Sequence, residues 1–224
     1  MRNRGRMLSL AVAVTAAAAF TTAGAAANAT VGAGAAGPTN LQSVLLPASQ
    51  QPAGTTLTKQ AITTQQAVAD RVLEPPAGMT FAPDSCVHYL DKVIGKLDSH
   101  AGWVQYGTRA GGGAFVHAVI PVSGGADLQR IRAEALTCRD GTVTQDSKVT
   151  GTVSFAEVAA PALPGASTFG FDASVAYPEA TCGVEEIFVA SIGEVLVQVA
   201  EPTPALATQM IRTLYDRVMA AATG

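Results

Sequence analysis

The segment from Ser167 to Tyr177, "STFGFDASVAY", constrains the fold more than any other part of the chain. Its larger apolar side chains fall on every second position: Phe169, Phe171, Ala173, Val175 and Tyr177. The intervening positions are small or polar: Gly170, Asp172, Ser174 and Ala176. Because successive side chains of a strand point to opposite faces, this alternation predicts a strand with one covered face and one wetter face.

Other segments predict further strands that could pair with this one. The runs 103–109 and 113–122 are joined by the turn-prone "AGGG", and residues 148–158 form another strand-like run. Residues 185–201 predict two strands around a turn near Ile192-Gly193, which would form a hairpin. The short apolar run from Val44 to Leu46 predicts an edge strand, followed by a Pro-Ala-Gly turn.

Three segments have the apolar spacing of helices. The first starts at Asp84 or Ser85 and exits near Gly102, and the second is "ADLQRIRAEALTC", residues 126–138. The third is capped by Thr203 and begins with Pro204. Strands in runs, with helices between and after them, predict the α+β class. We therefore expect an antiparallel β-sheet of about five to six strands, with two to three helices packed against it and a disulfide staple.

The N-terminus has the order of a secretory signal peptide. Arg2, Arg4 and Arg6 precede an apolar run from Leu8 to Phe20, and small residues offer cleavage sites ending at Ala27 or Ala29. The apolar run is shorter than the ~20 residues of a membrane span. Residues 1–29 are therefore predicted to be a signal peptide and 30–38 a flexible leader, with no transmembrane segment after cleavage. No cysteine near the cleavage site could carry a lipid, so we expect a secreted protein.

The remaining residues, 39–224, are predicted to form a single α+β domain. Removal of the signal peptide takes away three arginines and no acidic residue, which leaves 11 basic against 17 acidic residues and a net charge of −6. An acidic surface argues against nucleic acid and anionic lipid as partners, because both recruit basic patches.

Three cysteines in an exported chain predict one disulfide and one unpaired thiol. Cys86 lies in the first turn of one predicted helix and Cys138 in the last turn of another, each on the apolar side. We expect these two to pair, although spacing alone does not fix the connectivity. Cys182 would then be a free thiol, either buried or available for an intermolecular link.

No catalytic or metal-binding motif is present in the sequence. There is no H-E-x-x-H, C-x-x-C or G-x-S-x-G, so we predict no catalytic residue, metal or cofactor. His88 stands two positions from Cys86 on a predicted helix, about 200° around it, so the two side chains cannot share a metal ion. The pair Glu185-Glu186 would point to opposite faces and is interpreted as a solvated strand end.

A binding role is therefore the first functional hypothesis. Asp172 and Ser174, on the wetter face of the strand, and His117, which alternates with Phe115 and Val119 on the run 113–122, are the candidates for a ligand cleft. The alternatives are a secreted hydrolase that uses dispersed carboxylates such as Asp172 and Glu157, and a structural or adhesive envelope protein linked through Cys182.

The order of elements resembles a known family. It comprises a "LLP…PAG" opening, a cysteine at the start of the first helix, "AGW" before two strands, and a second helix ending in "LTC". A late hairpin and a C-terminal helix complete it. In this order the chain resembles actinobacterial exported sensor-type domains, similar to the extracellular domain of PknH-type Ser/Thr kinases.

The resemblance implies a disulfide-stapled α+β domain with a cleft for an envelope ligand. The implied partners are a small molecule, lipid or glycan of the envelope, or a membrane partner protein. Such domains often carry two disulfides. The match supports Cys86 with Cys138 for the first, but only Cys182 remains for a second.

Overall fold

A single antiparallel sheet organises the molecule. The computed structural model describes residues 40–62, 79–84, 86, 102–111, 113–146, 148–177 and 180–223. Within them, nine strands follow the spatial order β1-β3-β4-β9-β8-β7-β6-β5-β2. The strands are β1 (Thr56–Ile62), β2 (Met79–Ala82), β3 (Gly102–Thr108), β4 (Ala114–Pro121), β5 (Gly141–Gln145), β6 (Lys148–Val158), β7 (Ser167–Tyr177), β8 (Ala180–Ile192) and β9 (Val195–Glu201).

Three α-helices in the described part complete the α+β architecture. They are α1 (Leu41–Val44), α2 (Leu128–Leu136) and α3 (Pro204–Thr223), with a 3₁₀ turn at Ala48–Gln50. Asp127 caps α2, since its carboxylate accepts a hydrogen bond from the Arg130 N–H at 3.1 Å. Thr203 caps α3 in the same way, as the sequence predicts. No helix within the described ranges has both the length and the apolarity that a membrane crossing requires.

The predicted sheet of five to six strands is too small. The strands missed are β1, β2 and β5, whose sequences are "TLTKQAI", "MTFA" and "GTVTQ". These segments are short and rich in threonine, so pairing with longer neighbours specifies them more than their own patterns do. β1 and β2 form the two sheet edges, where such strands are common.

The predicted edge strand at Val44–Leu46 is also wrong. Leu41–Val44 is helical, and the Asn40 side chain caps this turn by accepting from the Ser43 N–H. Val44, Leu45 and Leu46 are all buried in a cluster with α3. Burial against a helix, and not strand pairing, therefore explains this apolar run.

One face of the sheet, the disulfide face, is covered by α2. Leu128, Ile131 and Ala135 of α2 are buried against alternate residues of the strands. Cys86 and Cys138 form the predicted disulfide within this cluster. Gly141, the first residue of β5, fits directly beneath it, because a Cβ there would lie 2.7 Å from the Cys86 sulfur.

The opposite face, the α3 face, is covered by α3, α1 and the chain that follows α1. The apolar stripe of α3 packs on the centre of the sheet: Ala207, Met210, Ile211, Leu214 and Val218. The strands present Phe188, Val197 and Val199 to this stripe. The Tyr215 hydroxyl also donates a hydrogen bond to the Pro164 carbonyl at 2.6 Å, which holds the β6–β7 connection against α3.

Several predictions lie outside the described residues. These are the signal peptide, the leader, most of the helix that starts at Asp84 or Ser85, and the orientation of His88. Cys86 itself is helical. The backbone of Cys182 pairs with Val175 in the β7–β8 ladder, but its side chain is outside the described part, so the free thiol stays a prediction.

Candidate functional site

Three carboxylates lie side by side across neighbouring strands on the α3 face. Asp172 of β7 is directly opposite Glu186 of β8, and Glu186 is directly opposite Glu201 of β9. Directly opposed residues on one face of an antiparallel pair have Cβ atoms roughly 4.5–5.5 Å apart. We call these three residues the carboxylate row.

The row begins where the apolar packing of α3 ends. The preceding cross-strand positions on this face are Gly170, Phe188 and Val199. Phe188 and Val199 belong to the α3 cluster, and Gly170 leaves room for the Phe188 ring, which a Cβ would meet at 2.5 Å. Phe188 therefore separates the apolar core from the carboxylate row.

Exposure changes steadily along the row. Ala156, the β6 neighbour of Asp172, is exposed, and Asp172 is half-buried. Glu186 is only 8% exposed and Glu201 is fully buried. The row thus leads from solvent at β6 to the interior at β9.

At the buried end, Glu201 is neutralised. Arg109 donates to both of its carboxylate oxygens, with Nε 2.9 Å from one of them, and His117 Nε2 lies 2.7 Å from the other. Burial raises the pKa of Glu201, but the hydrogen bonds from His117 and Arg109 outweigh it and hold the pKa below its usual range. Glu201 is therefore an ionised carboxylate in an ion pair.

His117 is neutral in this arrangement. Burial lowers its pKa more than the hydrogen bond and charge of Glu201 raise it. Neutral imidazole has one N–H, and donation to Glu201 places that proton on Nε2. Nδ1 is buried and has no hydrogen-bond partner within the described structure.

Arg109 also fixes the segment that follows α1. Its Nη1 donates to the Gln51 side chain at 2.6 Å, and its guanidinium lies 3.8 Å from the centre of the Phe115 ring. Gln105 donates to the Leu46 carbonyl at 2.8 Å. The buried end of the row is therefore a rigid polar network with its positive charge already engaged.

The outer part of the row has no such compensation. No cationic side chain in the described ranges pairs with Asp172 or Glu186. Burial raises the pKa of Glu186, and the adjacent Asp172 carboxylate raises it further; burial also raises the pKa of Asp172. Beside them, the Ser154 and Ser174 hydroxyls share a hydrogen bond of 2.9 Å.

Glu185 projects to the disulfide face, opposite Ala173. It is buried, and burial raises its pKa to about 7, with a further contribution from the Glu201 carboxylate. The interpretation of Glu185-Glu186 as a solvated strand end is therefore wrong for both residues. They point to opposite faces as predicted, but each face is covered at that position.

A cavity lies between α2 and the ends of β6 and β7. This cavity of about 290 Å³ is lined by Leu128, Gln129, Arg132, Glu157, Val158, Ala159, Ala160, Ser167, Thr168 and Phe169. Its two charges satisfy each other, because Arg132 contacts the Glu157 carboxylate through two hydrogen bonds of 2.7 and 2.6 Å. The cavity therefore lacks the uncompensated charge of the carboxylate row.

The structure brings two of the three predicted cleft residues together. Asp172 and Ser174 are neighbours on the α3 face of β7, whereas His117 lies on β4, with β8 and β9 between. Glu201 and Glu186 connect these two places. Sequence reasoning missed both glutamates. Glu186 lies two positions from buried Phe188, and Glu201 lies two positions from buried Val199, so each glutamate shares the face of its apolar neighbour.

Metal binding has no support in the described part of the chain, where no group of three or more His, Cys, Asp or Glu side chains could hold an ion. The two carboxylates of the hydrolase hypothesis, Glu157 and Asp172, do not lie on the same face of the sheet. Glu157 is opposite Phe171 on the disulfide face, and Asp172 is opposite Ala156 on the α3 face.

These features define an α+β domain with one broad antiparallel sheet and helices on both faces. The extracellular domain of PknH from Mycobacterium tuberculosis has a similar fold, with a TM-score of 0.56 and 19% sequence identity, covering 82% of this chain and 96% of that chain. At this identity the similarity is one of fold, and it confirms the resemblance seen in the sequence.

An uncharacterized protein from Mycobacterium smegmatis, the Rv0999 ortholog, also matches. It has a TM-score of 0.44 and 14% identity, covering 76% of this chain and 92% of that chain. No family model matches the sequence, and no curated protein does.

Proposed function

We propose that this protein is an exported, non-enzymatic binding domain of the sensor type, whose ligand occupies the carboxylate row from the β6 side. The observation that carries the proposal is Glu186. Contacts with protein cover more than nine-tenths of this residue, yet it has no hydrogen-bond or ionic partner among the described residues. Its carboxylate oxygens still reach solvent, since the buried side-chain atom without a partner in the described structure is His117 Nδ1. A largely covered carboxylate that has no protein partner and stays accessible marks a position that a ligand can complete.

The alternative of a hydrolase with dispersed carboxylates has less support. Its two named residues, Asp172 and Glu157, lie on opposite faces of the sheet and cannot act on one substrate. Glu157 is also held ionised by Arg132, because the hydrogen bonds from that guanidinium lower its pKa. The fold shared with an extracellular domain favours binding over catalysis as the role of the row.

The test is ligand-induced stabilisation of the purified protein by a panel of envelope lipids, glycans and small polar metabolites. A ligand that binds only the folded state at 100 times its Kd stabilises by about 2.7 kcal/mol. Replacement of exposed Ala156 by Trp should block the mouth of the row and abolish the effect, whereas Gln129→Trp, at the α2 cavity, should not. If no panel member stabilises the protein, or if Ala156→Trp changes nothing, the proposal fails.

Export is tested separately. Expression of the whole chain in an exporting bacterial host should release a mature protein whose N-terminus follows Ala27 or Ala29. Retention of residues 1–29 on the recovered protein would contradict this part of the proposal.

A further inference from the structure

We propose that the ligand presents a protonated primary amine to Asp172 and Glu186, with a hydrogen-bonding group directed at Ser174. This inference rests on the proposed function and deepens it by naming the chemical class that the carboxylate row selects.

The charge of the row determines the sign of its ligand. Arg109 compensates the charge of Glu201, and His117 is neutral, so the buried end contributes no net charge. Asp172 and Glu186 then leave two negative charges directly opposite each other. Like charges at this separation destabilise a strand pair, and a cation between them removes the repulsion. An anionic ligand would add to the repulsion.

The hydrogen-bonding groups favour an ammonium over other cations. A primary ammonium has three N–H donors and no acceptor. Asp172 and Glu186 offer two carboxylates, and Ser174, two positions from Asp172 on the same face, offers a hydroxyl oxygen. Three acceptors on adjacent strands match three donors on one nitrogen.

Two other cation classes fit less well. Calcium takes six to eight oxygen ligands, and the described residues hold no group of three or more free acidic, His or Cys side chains for an ion. Quaternary ammonium groups are recognised by aromatic cages. Two described aromatic rings on the α3 face are already engaged, since Arg109 lies over the Phe115 ring and Phe188 packs on Gly170.

The closed end of the row limits how the amine can enter. Glu201, with Arg109 and His117, fills the β9 end and is fully buried. The open end is at β6, where Ala156 is exposed. The amine is therefore expected at the inner end of the ligand, with the rest of the molecule extending over Ala156 and Ser154 to solvent.

The test compares 1,5-diaminopentane with 1,5-pentanediol, which has the same chain and hydroxyls in place of the amines. Binding is followed by backbone amide chemical shifts of the purified protein, with calcium chloride as a third probe. We expect the diamine to shift amides of β7 and β8 around Asp172 and Glu186, and the diol and calcium to leave them unchanged. The affinity for the diamine should rise with increasing pH as the two carboxylates, whose pKa values are raised by burial, become ionised.

Two variants locate the interaction. Glu186→Gln and Asp172→Asn should each weaken diamine binding at least tenfold, as expected for loss of a charged hydrogen bond. Glu186→Gln removes one of two like charges that lie directly opposite each other, so this variant should fold at least as stably as the original chain, and its lost affinity cannot be attributed to unfolding. Asp216 is an exposed residue of α3, so Asp216→Asn is the matched control and should leave the affinity unchanged.

The outcomes separate this inference from the proposed function. Equal affinity for diol and diamine, or unchanged diamine binding in both row variants, overturns the inference. A neutral glycan or lipid whose binding is blocked by Ala156→Trp would uphold the binding function and overturn the amine. If no ligand of any class is affected by Ala156→Trp, both fail.

Discussion

Asp172, Glu186 and Glu201 share one row of the sheet, and their surroundings lower the pKa of Glu201 but raise the pKa of the other two carboxyls. Glu201 is ionised because Arg109 and His117 donate to it. Glu186 and Asp172 hold their protons more tightly than usual, because burial raises the pKa of both. Residues of the same chemical type thus form a structural ion pair at one end of the row and, as we propose, bind the ligand at the other.

Loss of Arg109 should be strongly destabilising. Arg109→Met leaves the Glu201 carboxylate buried without its ion-pair partner, which costs about 3–5 kcal/mol in such sites. The measurement is the free energy of unfolding in urea. The double variant Arg109→Met with Glu201→Leu should recover part of the loss, because no charge is then left unpaired.

Arg132→Met is the matched control, since the Arg132 and Glu157 side chains are 39% and 40% exposed. Exposed pairs contribute little. Equal losses from Arg109→Met and Arg132→Met would contradict the assignment of Arg109 to a buried network.

Glu185 should make the protein less stable as the pH rises. The pKa of Glu185 is about 7 when folded, against an ordinary 4.5, so between these values the folded state binds the extra proton. Stability from this group is fully present below pH 4.5 and is lost as the pH rises through 7, by up to about 3 kcal/mol. Unfolding free energies at pH 5 and pH 8 should show this fall.

Glu185→Gln should remove most of that pH dependence and stabilise the protein at pH 8. Asp216→Asn should keep the original slope. If Glu185→Gln and the original chain have the same slope, Glu185 does not carry the titration.

At the level of elements, the disulfide links two parts of the chain that flank the described strands β3 and β4. It joins Cys86, which follows β2, to Cys138, at the end of α2, with 52 residues of sequence separation. The Cys138 carbonyl also accepts a hydrogen bond from the Phe155 N–H of β6 at 2.9 Å. The end of α2 is therefore anchored to the sheet through both its side chain and its backbone.

Replacement of Cys86 and Cys138 by alanine should lower the free energy of unfolding by about 4 kcal/mol, the chain-entropy value for a loop of this size. The measurement is denaturant unfolding with and without a reducing agent. Reductant should destabilise the original chain by a similar amount and leave the double variant unchanged. A double variant as stable as the oxidised protein would show that the bridge contributes nothing.

Elements with strong alternation could be predicted from sequence, whereas short polar ones could not. β6 and β7 lie at the predicted positions because their apolar residues alternate, and the β8–β9 hairpin does because two apolar runs flank a turn. β1, β2 and β5 have no comparable pattern, and only their neighbours define them. The site followed the same rule. Asp172 and Ser174 stood in a clear alternating strand, whereas Glu186 and Glu201 stood at the ends of the predicted hairpin, where acidic residues usually face solvent. In the structure β8 begins at Ala180, which places Glu186 in the middle of the strand.

At the scale of the whole molecule, two hydrophobic clusters share the same central strands. Leu196 and Val189 face α2, while Val197 and Phe188, adjacent to them in sequence, face α3. If these strands separate, the apolar residues of both clusters become exposed to solvent. The two faces are therefore expected to unfold in one transition.

Substitutions on the two faces should test this coupling. Ile131→Ala on α2 and Leu214→Ala on α3 both remove fully buried side chains, and each should cost about 2–5 kcal/mol. Because the sheet separates them, their effects should add in the double variant to within about 0.5 kcal/mol. Far-UV and near-UV circular dichroism should report the same midpoint for every variant. Separate midpoints would show that the faces unfold independently.

The two edges of the sheet bear on how copies of this protein behave at high concentration. An edge strand offers unpaired backbone groups to which another molecule can add a strand. Here β2 has only four residues and is followed by Pro83, which has no N–H to donate. β1 carries Lys59, whose ammonium turns inward to the Leu45 carbonyl at 3.2 Å. Short length, a proline and an inward-pointing charge all oppose aggregation, so the broad sheet is protected against growing from one molecule into the next.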